Sequence, residues 1–399
     1  MTDTSPIAPP GVLAIPAFRH FLLARALSSI AFQAAAVAIG WLIYDKTRNP
    51  FDLGLVGLFQ FLPMLLLTLP AGHVADQFDR RRIGLVCQVI EAIALVVIAV
   101  GVWQDAIPIW GIFAAVFAIG AAQAFERPAL TALLPAIVPT AQLQSGVATA
   151  TSVMQTAMIL GPAVGGLLYG VGPVVPFAIS ALCFALAAVN VALIRHPTRP
   201  PVRTPITLES VFAGVAFIAS RPIMLGAISL DMFAVLLGGA TAMLPVYARD
   251  ILHAGPEALG FLRMAPAVGA VAMALTLARF PLRHGVGIKM LVAVAIFGVA
   301  TIVFAYSTDI VLSIVMLTTL GAADALSVVV RSSLVQLLTP DHMRGRVNAV
   351  NSLFIGTSNQ LGEFRAGVMG GFIGPVAAVA FGGIGTLAVV ALWAGLFPA

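Results

Sequence analysis

The amino-acid sequence predicts an all-α integral membrane protein with twelve membrane-spanning helices in two similar six-helix halves. The 399 residues are 60% hydrophobic and only 9% charged, with a mean hydropathy of +1.04, whereas about 25% of a typical soluble domain is charged. Apolar runs of the length needed to cross a bilayer recur along the whole chain. The second half also repeats features of the first half at a nearly constant offset.

The spans are predicted to be helices because lipid offers the backbone no hydrogen-bond partner, so that only helices and closed barrels can cross it. The runs lack the alternation of apolar and polar residues that barrel strands show. Charged residues, Gly-Pro pairs and an Asn-Pro pair separate the runs. The predicted spans are 18–44, 51–73, 82–103, 107–130, 143–169, 173–195, 222–249, 256–280, 285–306, 308–337, 346–372 and 374–397.

The remaining segments predict four regions in chain order. Residues 1–17 are polar and proline-rich and lack the features of a signal peptide, so we expect a retained tail on the cytoplasmic side. Residues 18–195 form the first six-helix bundle and residues 222–399 the second. The basic, proline-rich segment 196–221 is the expected cytoplasmic linker between them.

Basic residues predict the orientation of the chain, because Lys and Arg concentrate in cytoplasmic loops. On the side of both termini lie Arg19, Arg80, Arg81, Arg82, Arg195, Arg199, Arg203, Arg221, Arg279, Arg283, Lys289, Arg344 and Arg346. The other side carries only Lys46, Arg48 and Arg249. We therefore expect both termini of a multi-pass protein in the cytoplasm of a bacterium, with the spans in its inner membrane.

The composition also argues against several classes of function. The arginines lie at helix ends rather than on one basic face, which disfavours nucleic-acid binding despite a pI near 9.8. Cys87 and Cys183 have no partner spacing, and no histidines are spaced as metal ligands. The sequence has no phosphate-binding loop and no nucleophile motif. We expect no enzyme activity, no ATP drive, no metal and no cofactor.

A weak internal repeat relates the two halves. The stretch from Gly120 to Ala124 has the same small residues as the stretch from Gly321 to Ala325, at an offset of 201, and Pro139 and Pro340 share that offset. A basic turn follows the second span and its counterpart, the eighth. Duplicated bundles of this kind bind substrate at their shared interface near the middle of the membrane.

The segment "GHVADQFDRRR" after the second span carries the family resemblance. Together with six plus six spans and a basic central linker, it resembles the loop motif of the major facilitator superfamily, a glycine followed by an acidic residue and a basic cluster. Gly72, Asp76, Arg80 and Arg81 match that motif, whereas Gln77 and Asp79 depart from its usual arginine and glycine. The resemblance covers essentially the whole chain. It implies a transporter that works by alternating access, and we expect it to be a monomer.

A narrower resemblance points to export. The segments "LDMFAVLLGGATAMLPVYARDILHAGP" and "RGRVNAVNSLFIGTSNQLGEFRAG" resemble the bacterial branch of enterobactin-exporter-like proteins, and "LGPAVGG" resembles part of the signature of drug–proton antiporters. Ala157 stands where that signature has a glycine. In similar proteins the loop acid closes the cytoplasmic side by contacting the start of the eleventh helix. The expected gating residues are Gly72, Asp76, Asp79, Arg80, Arg81, Arg82, Gly161, Pro162, Gly165, Gly166, Arg344 and Arg346.

Charged residues within the spans are candidates for function, because a charge in a membrane is costly. An arginine neighbour favours the charged form of a carboxyl group and apolar surroundings favour the neutral form, so a moving cation can drive proton binding. Asp231 is the first choice, because its own helix offers no basic neighbour, and Glu363 is the second. Arg331 can face one cavity with Asp324 or pair with Glu363. The expected proton-coupling residues are Asp231, Glu363, Asp324 and Glu126, although each of these charges can instead belong to a fixed salt bridge.

Polar residues within the spans predict a cavity for a polar substrate, and the resemblance implies a small, amphipathic, siderophore-like or drug-like molecule. The amides suit a polar substrate, although they can equally bond neighbouring helices. The expected cavity residues are Arg25, Gln33, Gln60, Gln123, Arg127, Gln155, Arg263, Arg331, Asn351, Asn359 and Arg365. The sequence thus favours a proton-coupled exporter in contact with lipid. A facilitator or importer of another solute or lipid, and a receptor or scaffold without transport, stay open as alternatives.

Overall fold

The computed structural model describes residues 11–194, 208–280, 282, 285–340 and 343–397, apart from some side chains in the ranges 68–76, 208–214 and 344–352. The regular structure of these residues is helical. In the first half the helices are α1 (Pro16–Thr47), α2 (Pro50–Gln77), α3 (Arg80–Trp103), α4 (Ile109–Ile137), α5 (Leu143–Val171) and α6 (Val175–Leu193). In the second half they are α7 (Leu208–Ala219), α8 (Pro222–Gly238), α9 (Leu244–Val246), α10 (Pro256–Arg279), α11 (Val286–Ala305), α12 (Ile310–Leu338), α13 (Arg344–Ile373) and α14 (Pro375–Leu396).

The long helices confirm the prediction of an all-α membrane protein. Among the described residues, 11 helical stretches are long and apolar enough to cross a membrane, and the stretch Pro222–Ile251 counts as one of them. The other long helix, α13, is the least apolar and contains Glu363 and Arg365. Its length of 30 residues is nevertheless sufficient to cross a bilayer.

Within each half, an equivalent pair of helices packs closely together. In the first half α4 packs on α2, and in the second half α12 packs on α10. Gly120 lies at the first of these crossings and Gly321 at the second, and a Cβ at either glycine would overlap a backbone carbonyl of the facing helix. The offset of 201 between these glycines therefore reflects the same close helix crossing in two similar bundles, because small residues let membrane helices approach closely.

The seventh span differs from the uninterrupted helix 222–249 predicted from the sequence. Helix α8 ends at Gly238, and Gly239 takes a left-handed backbone conformation with φ of 43°. A 3-10 turn (Ala240–Met243), α9 and a π-helical turn (Tyr247–Ile251) follow. Only glycine adopts such a φ readily, so the Gly-Gly pair breaks the helix where α8 passes α13.

The described contacts between the two halves lie on the side of the membrane opposite to the chain termini, here called the opposite side. There α5 packs on α10, with Gly166 against Gly260, and α2 packs on α13, with Gly54 against Gly367. Each glycine lacks the side chain that would separate the two helices. The bundles therefore meet closely at this side.

The predicted linker and tail fall mostly outside the described residues. The tail is described from residue 11 onward, where a short 3-10 turn (Val12–Ala14) precedes α1. Of the linker 196–221, the structure describes α7 and the short turn that follows it. The domain boundaries at residues 195 and 222 stay a prediction.

The packing at Gly321 leads to a first prediction. Replacing Gly321 by valine should lower the midpoint of thermal unfolding of the purified protein, since the branched side chain would collide with Pro266 of α10. Overpacking of this kind costs about 1–3 kcal/mol. Gly395→Val is the matched control, because no atom lies within 4 Å of a Cβ at this helical glycine. Equal midpoints for the two variants would contradict the close crossing of α10 and α12.

Candidate functional site

A polar chamber lies between the two halves. It consists of two adjoining cavities of about 390 and 330 Å³, both of which are lined by Gln33 of α1 and Met158 of α5. The larger cavity is walled by residues of both halves, and the smaller one by residues of the first half. Met154 and Met158 of α5 line the chamber and are exposed, whereas Gln155, a predicted cavity residue, is exposed but lines neither cavity.

Many of the residues predicted from the sequence line this chamber. They are Arg25, Gln33, Gln123, Glu126, Arg127, Arg263, Asp324, Asn359 and Glu363. Gln60 lines a smaller cavity of about 50 Å³ that continues toward the opposite side and shares Arg263 and Glu363 with the chamber. The chamber therefore presents both positive and negative side chains, amides, and the apolar surfaces of Phe32 and Met158.

Other predicted cavity residues lie elsewhere. Arg331 is 2% exposed and lies behind the chamber wall. Arg365 is half-buried, donates to the carbonyl oxygen of Leu237 at the end of α8, and lies over the ring of Phe381 at 5.8 Å. Asn351 does not line either cavity, among the residues described there.

The second half holds a buried ion pair at its centre. Asp231 of α8 and Arg331 of α12 are in direct contact, and both are almost fully buried. Ser327 donates a hydrogen bond of 2.8 Å to the other oxygen of Asp231. Asp324, one turn before Ser327 on α12, lies beside this pair and also lines the chamber. Arg331 therefore contacts Asp231 rather than Glu363, the partner considered from the sequence.

The first half holds a second buried polar cluster. Gln123 of α4 donates from one amide nitrogen to Glu91 of α3 and, at 3.0 Å, to Glu126 of α4. Gln88 donates to the other oxygen of Glu126 at 3.0 Å, and Arg127 donates to the side-chain oxygen (Oε1) of Gln123 at 3.0 Å. The site residues predicted from the sequence did not include Gln88 or Glu91. The one signal for Glu91 was its place as a lone charge in the middle of a span.

Near the helix break, Glu363 and Arg263 lie between the halves. Thr241, just after the break, donates to Glu363 at 3.3 Å. Arg263 of α10 is 3.5 Å from the carbonyl oxygen of Ala36 on α1, in the other half. Glu363 is thus held by the flexible part of the seventh span, and Arg263 spans the two halves next to it.

The predicted gating turn after α2 is tied to its own half. Asp79 caps α3 by accepting from the backbone N–H of Arg81 at 2.9 Å. Arg80 donates to the carbonyl oxygen of Ala132 near the end of α4, and Arg81 donates to that of Ile194 after α6, at 3.0 and 2.8 Å. These arginines stabilise helix C-termini, where the backbone carries partial negative charge.

The remaining predicted gating residues fall into three groups. Arg82 and Arg346 are exposed. The surroundings of Gly72 and the side chains of Asp76 and Arg344 lie outside the described residues, so the predicted contact between α2 and α13 at this end stays a prediction. In the "LGPAVGG" segment, Gly161 and Gly165 pack on α1, whereas Gly166 and the carbonyl of Pro162 meet Gly260 of α10.

Ion pairs that the sequence analysis missed join the halves at the opposite side. Asp45 of α1 contacts Arg249, and Tyr44 donates to Asp250, in each case across the interface between the halves. Arg48 also lies 3.5 Å from Asp250. Arg249 and Asp250 belong to the π-helical turn after the break in the seventh span. We call these five residues the outer cluster, and it closes the chamber at this side.

Comparisons with known proteins agree with the fold. A family profile described as "Transmembrane secretion effector" matches residues 4–396. The multidrug efflux pump Tap of Mycobacterium tuberculosis H37Rv is 27% identical over 372 residues, which are 88% of this chain and 86% of Tap. The enterobactin exporter EntS of Escherichia coli O1:K1 is 26% identical over 387 residues, which are 94% of this chain and 90% of EntS.

Solved structures with the same fold are much less similar in sequence. The nucleoside transporter NupG, as its D323A mutant, gives a TM-score of 0.76 at 13% identity. The match covers 96% of this chain and 100% of the NupG chain. A bacterial homologue of the human lysosomal transporter Spinster, in an inward-facing and unoccupied conformation, gives a TM-score of 0.73 at 14% identity, with 95% and 94% covered.

The outer cluster leads to a second prediction. In a background with Cys87 and Cys183 replaced by serine, Leu53→Cys reports on access from the opposite side, because Leu53 is buried below the cluster. Adding Asp45→Arg should make this cysteine react several-fold faster with a membrane-impermeant thiol reagent. The substitution removes an ion pair worth about 0.2–1 kcal/mol and places two arginines opposite each other, so the halves separate more often at this side.

The control for this prediction is a charge swap. The double variant Asp45→Arg with Arg249→Asp places positive charges on α1 and negative charges on the π-helical turn, so the two segments attract each other again. The reaction rate of the cysteine should therefore return close to that of the background. Equal reactivity of the single variant and the swap would show that these charges do not hold the halves together.

Proposed function

Because the chain belongs to the transmembrane secretion effector family of major facilitator transporters, we propose that it is a proton-coupled exporter of a small amphipathic molecule. The observation that carries the proposal is the chamber between the two halves, with a buried ion pair behind its wall and ion pairs closing one side. Its relatives include a multidrug efflux pump and an enterobactin exporter.

Alternating access is supported by the way the chamber is closed. At the opposite side the halves meet through close glycine contacts and the outer cluster, whereas the described residues form no such glycine contact or ion pair between the halves at the side of the termini. We infer that the chamber opens toward the termini. The basic residues predict that both termini lie in the cytoplasm of a bacterium, with the spans in its inner membrane. In that orientation, a chamber open toward the termini takes up substrate from the cell interior. Release then requires the outer cluster to separate and the side of the termini to close.

Proton coupling is supported by the position of Asp231. The aspartate is stabilised in its charged form by Arg331, and both residues lie away from water beside Asp324. If a rearrangement of α8 against α12 parts the pair, the uncompensated carboxylate gains a proton, because a lone buried charge costs several kcal/mol. Glu363, held by Thr241 next to the helix break, and Glu126 are further candidates.

The chamber lining supports an amphipathic substrate. Arginines and carboxylates face the same space as amides, methionines and phenylalanines. Flexible methionine side chains adapt to differently shaped ligands. Such a wall accepts molecules with an apolar body and polar groups, and we propose that one protein molecule, without a partner subunit, carries out the transport.

The ion pair in α8 and α12 leads to a third prediction. Asp231→Asn should reduce proton-driven transport of ethidium or enterobactin in proteoliposomes at least about tenfold, since it removes the proton acceptor and leaves Arg331 unpaired, at a cost of about 3–5 kcal/mol. The double variant Asp231→Asn with Arg331→Leu should recover thermal stability but not proton-driven transport. Asp105→Asn is the control, because Asp105 is an exposed residue between α3 and α4.

The outcome of that assay separates the possible functions. Transport that follows an imposed proton gradient, in vesicles of known orientation, supports coupled transport, and its sign gives the direction. Undiminished gradient-driven transport by the double variant would refute the role of Asp231. Transport that ignores the gradient indicates a facilitator, and binding without transport indicates a receptor.

A further inference from the structure

The cluster of Glu91, Gln123 and Glu126 contains buried atoms that lack a hydrogen-bond partner. Glu91 is 0% and Glu126 1% exposed. Among the described residues, one carboxylate oxygen of Glu91 (Oε2) and the carbonyl oxygen of Gln88 (Oε1) accept no hydrogen bond. Gln88 lies one turn before Glu91 on α3 and is also fully buried. Two orphaned acceptors in one small cluster indicate that a donor is needed there.

The cations near this cluster do not pair with the two glutamates. Within the described residues neither Glu91 nor Glu126 has a basic group within 4.0 Å. Arg127 donates through Nε to Gln123, and Arg25 lies 3.0 Å from the sulfur of Met154. Both arginines face the chamber. Their charge is directed toward the chamber rather than held by a carboxylate.

The surroundings of Glu91 offer no other charge to balance it. On its own helix, the nearest titratable neighbour in the cluster is the thiol of Cys87. The packed helix α6 and the nearby α5 carry no acidic or basic residue. Helix α2, which packs on α4, has Asp52 at its opposite-side end, and the side chains of His73 and Asp76 are not described. Arg25 and Arg127 are therefore the charged groups nearest to the pair of glutamates.

The two glutamates differ in how well they accommodate a negative charge. Glu126 accepts from Gln88 and Gln123 and faces the chamber beside Arg25 and Arg127. Among the described residues, Glu91 accepts from Gln123 alone, and it is not one of the residues that line the chamber. Two carboxylates bridged by a single amide nitrogen repel each other strongly in a medium of low dielectric constant. A buried charge without partners is the less stable state of such a group.

We propose that Glu91 and Glu126 form a proton-binding site in the first half, separate from Asp231, in which Glu91 holds one proton and Glu126 passes it to and from the chamber. A proton on the orphaned oxygen of Glu91 turns an unpaired acceptor into a hydroxyl that can donate within the cluster, and it removes the buried negative charge of that carboxylate. Glu126, between Glu91 and the chamber, accepts the proton as its carboxylate and releases it to water. No other bond forms or breaks.

The existence of this site rests on the geometry alone, whereas its part in coupling rests on the proposed function. Losing the proton changes the charge of the group formed by both glutamates, Arg25 and Arg127 from +1 to zero. The two arginines line the chamber at the face where substrate would lie. A proton held at Glu91 therefore leaves a positive charge facing the chamber, and its release removes that charge.

Infrared spectroscopy of the purified protein in lipid nanodiscs tests the site without any substrate. At pH 7 the wild type should show a carbonyl band of a protonated carboxyl group, and labelling with ¹³C-glutamate should shift it, which separates it from bands of Asp231 or Asp324. Glu91→Gln should remove this band. On transfer to D₂O, Glu126→Gln should keep the band but slow its deuterium shift at least about tenfold, since the relay is lost.

Glu257→Gln is the matched control, because Glu257 lies in the first turn of α10 at the opposite side. It should leave both the band and its exchange rate unchanged. A band that persists in Glu91→Gln would overturn the assignment to Glu91, and unchanged exchange in Glu126→Gln would overturn the route. If Glu91→Gln does not fold, the wild type alone provides the test. The absence of a carbonyl band that shifts on ¹³C-glutamate labelling would overturn the assignment to Glu91. A protein that holds this proton but does not transport would contradict the proposed function and leave the site intact.

Discussion

A charge in the apolar core of a membrane has no solvent there, and this constraint determines where the polar residues of this protein lie. Lipid offers neither hydrogen bonds nor counter-ions, so charged side chains turn toward other helices or toward a watery space. Asp231 and Arg331 meet between α8 and α12, while Glu126 faces the chamber and is held by amides. The same cost that forbids charges on the lipid face collects them between helices, where they can take part in transport.

The strength of the contacts separates those that can open from those that hold the bundles together. The outer cluster is partly exposed, and each such pair contributes about 1 kcal/mol or less. Breaking the buried pair of Asp231 and Arg331 by removing one partner costs about 3–5 kcal/mol. Thermal motion can therefore part the outer cluster, whereas separation of the buried pair needs compensation, which a bound proton provides in the mechanism that we propose.

The sequence predicted the helical membrane fold, because span length and the repeat each have a simple physical cause. The helix break at Gly239 was missed, since a Gly-Gly pair within an apolar run is also compatible with a continuous helix. The contact of Asp231 with Arg331 could not be predicted, because the residues are 100 positions apart and meet only through tertiary packing. The outer cluster was missed for the same reason: Asp45 and Arg249 belong to different halves.

The two halves use equivalent positions with opposite charge. Pro16 begins α1 and Pro222 begins α8, and nine residues later each helix carries a charge, Arg25 in the first half and Asp231 in the second. On the facing helix the positions six residues after Gly120 and Gly321 carry Glu126 and Ser327, which lie in the two buried clusters. The repeat thus places a polar residue at both positions of each bundle, but the charges have opposite sign only at the first position. The contacts differ as well. Asp231 pairs with Arg331 between α8 and α12, whereas Arg25 contacts Met154 of α5 and Glu126 is held between α3 and α4. An exact repeat would place like charges at both sites, so the two bundles have come to hold their buried charges through different partners.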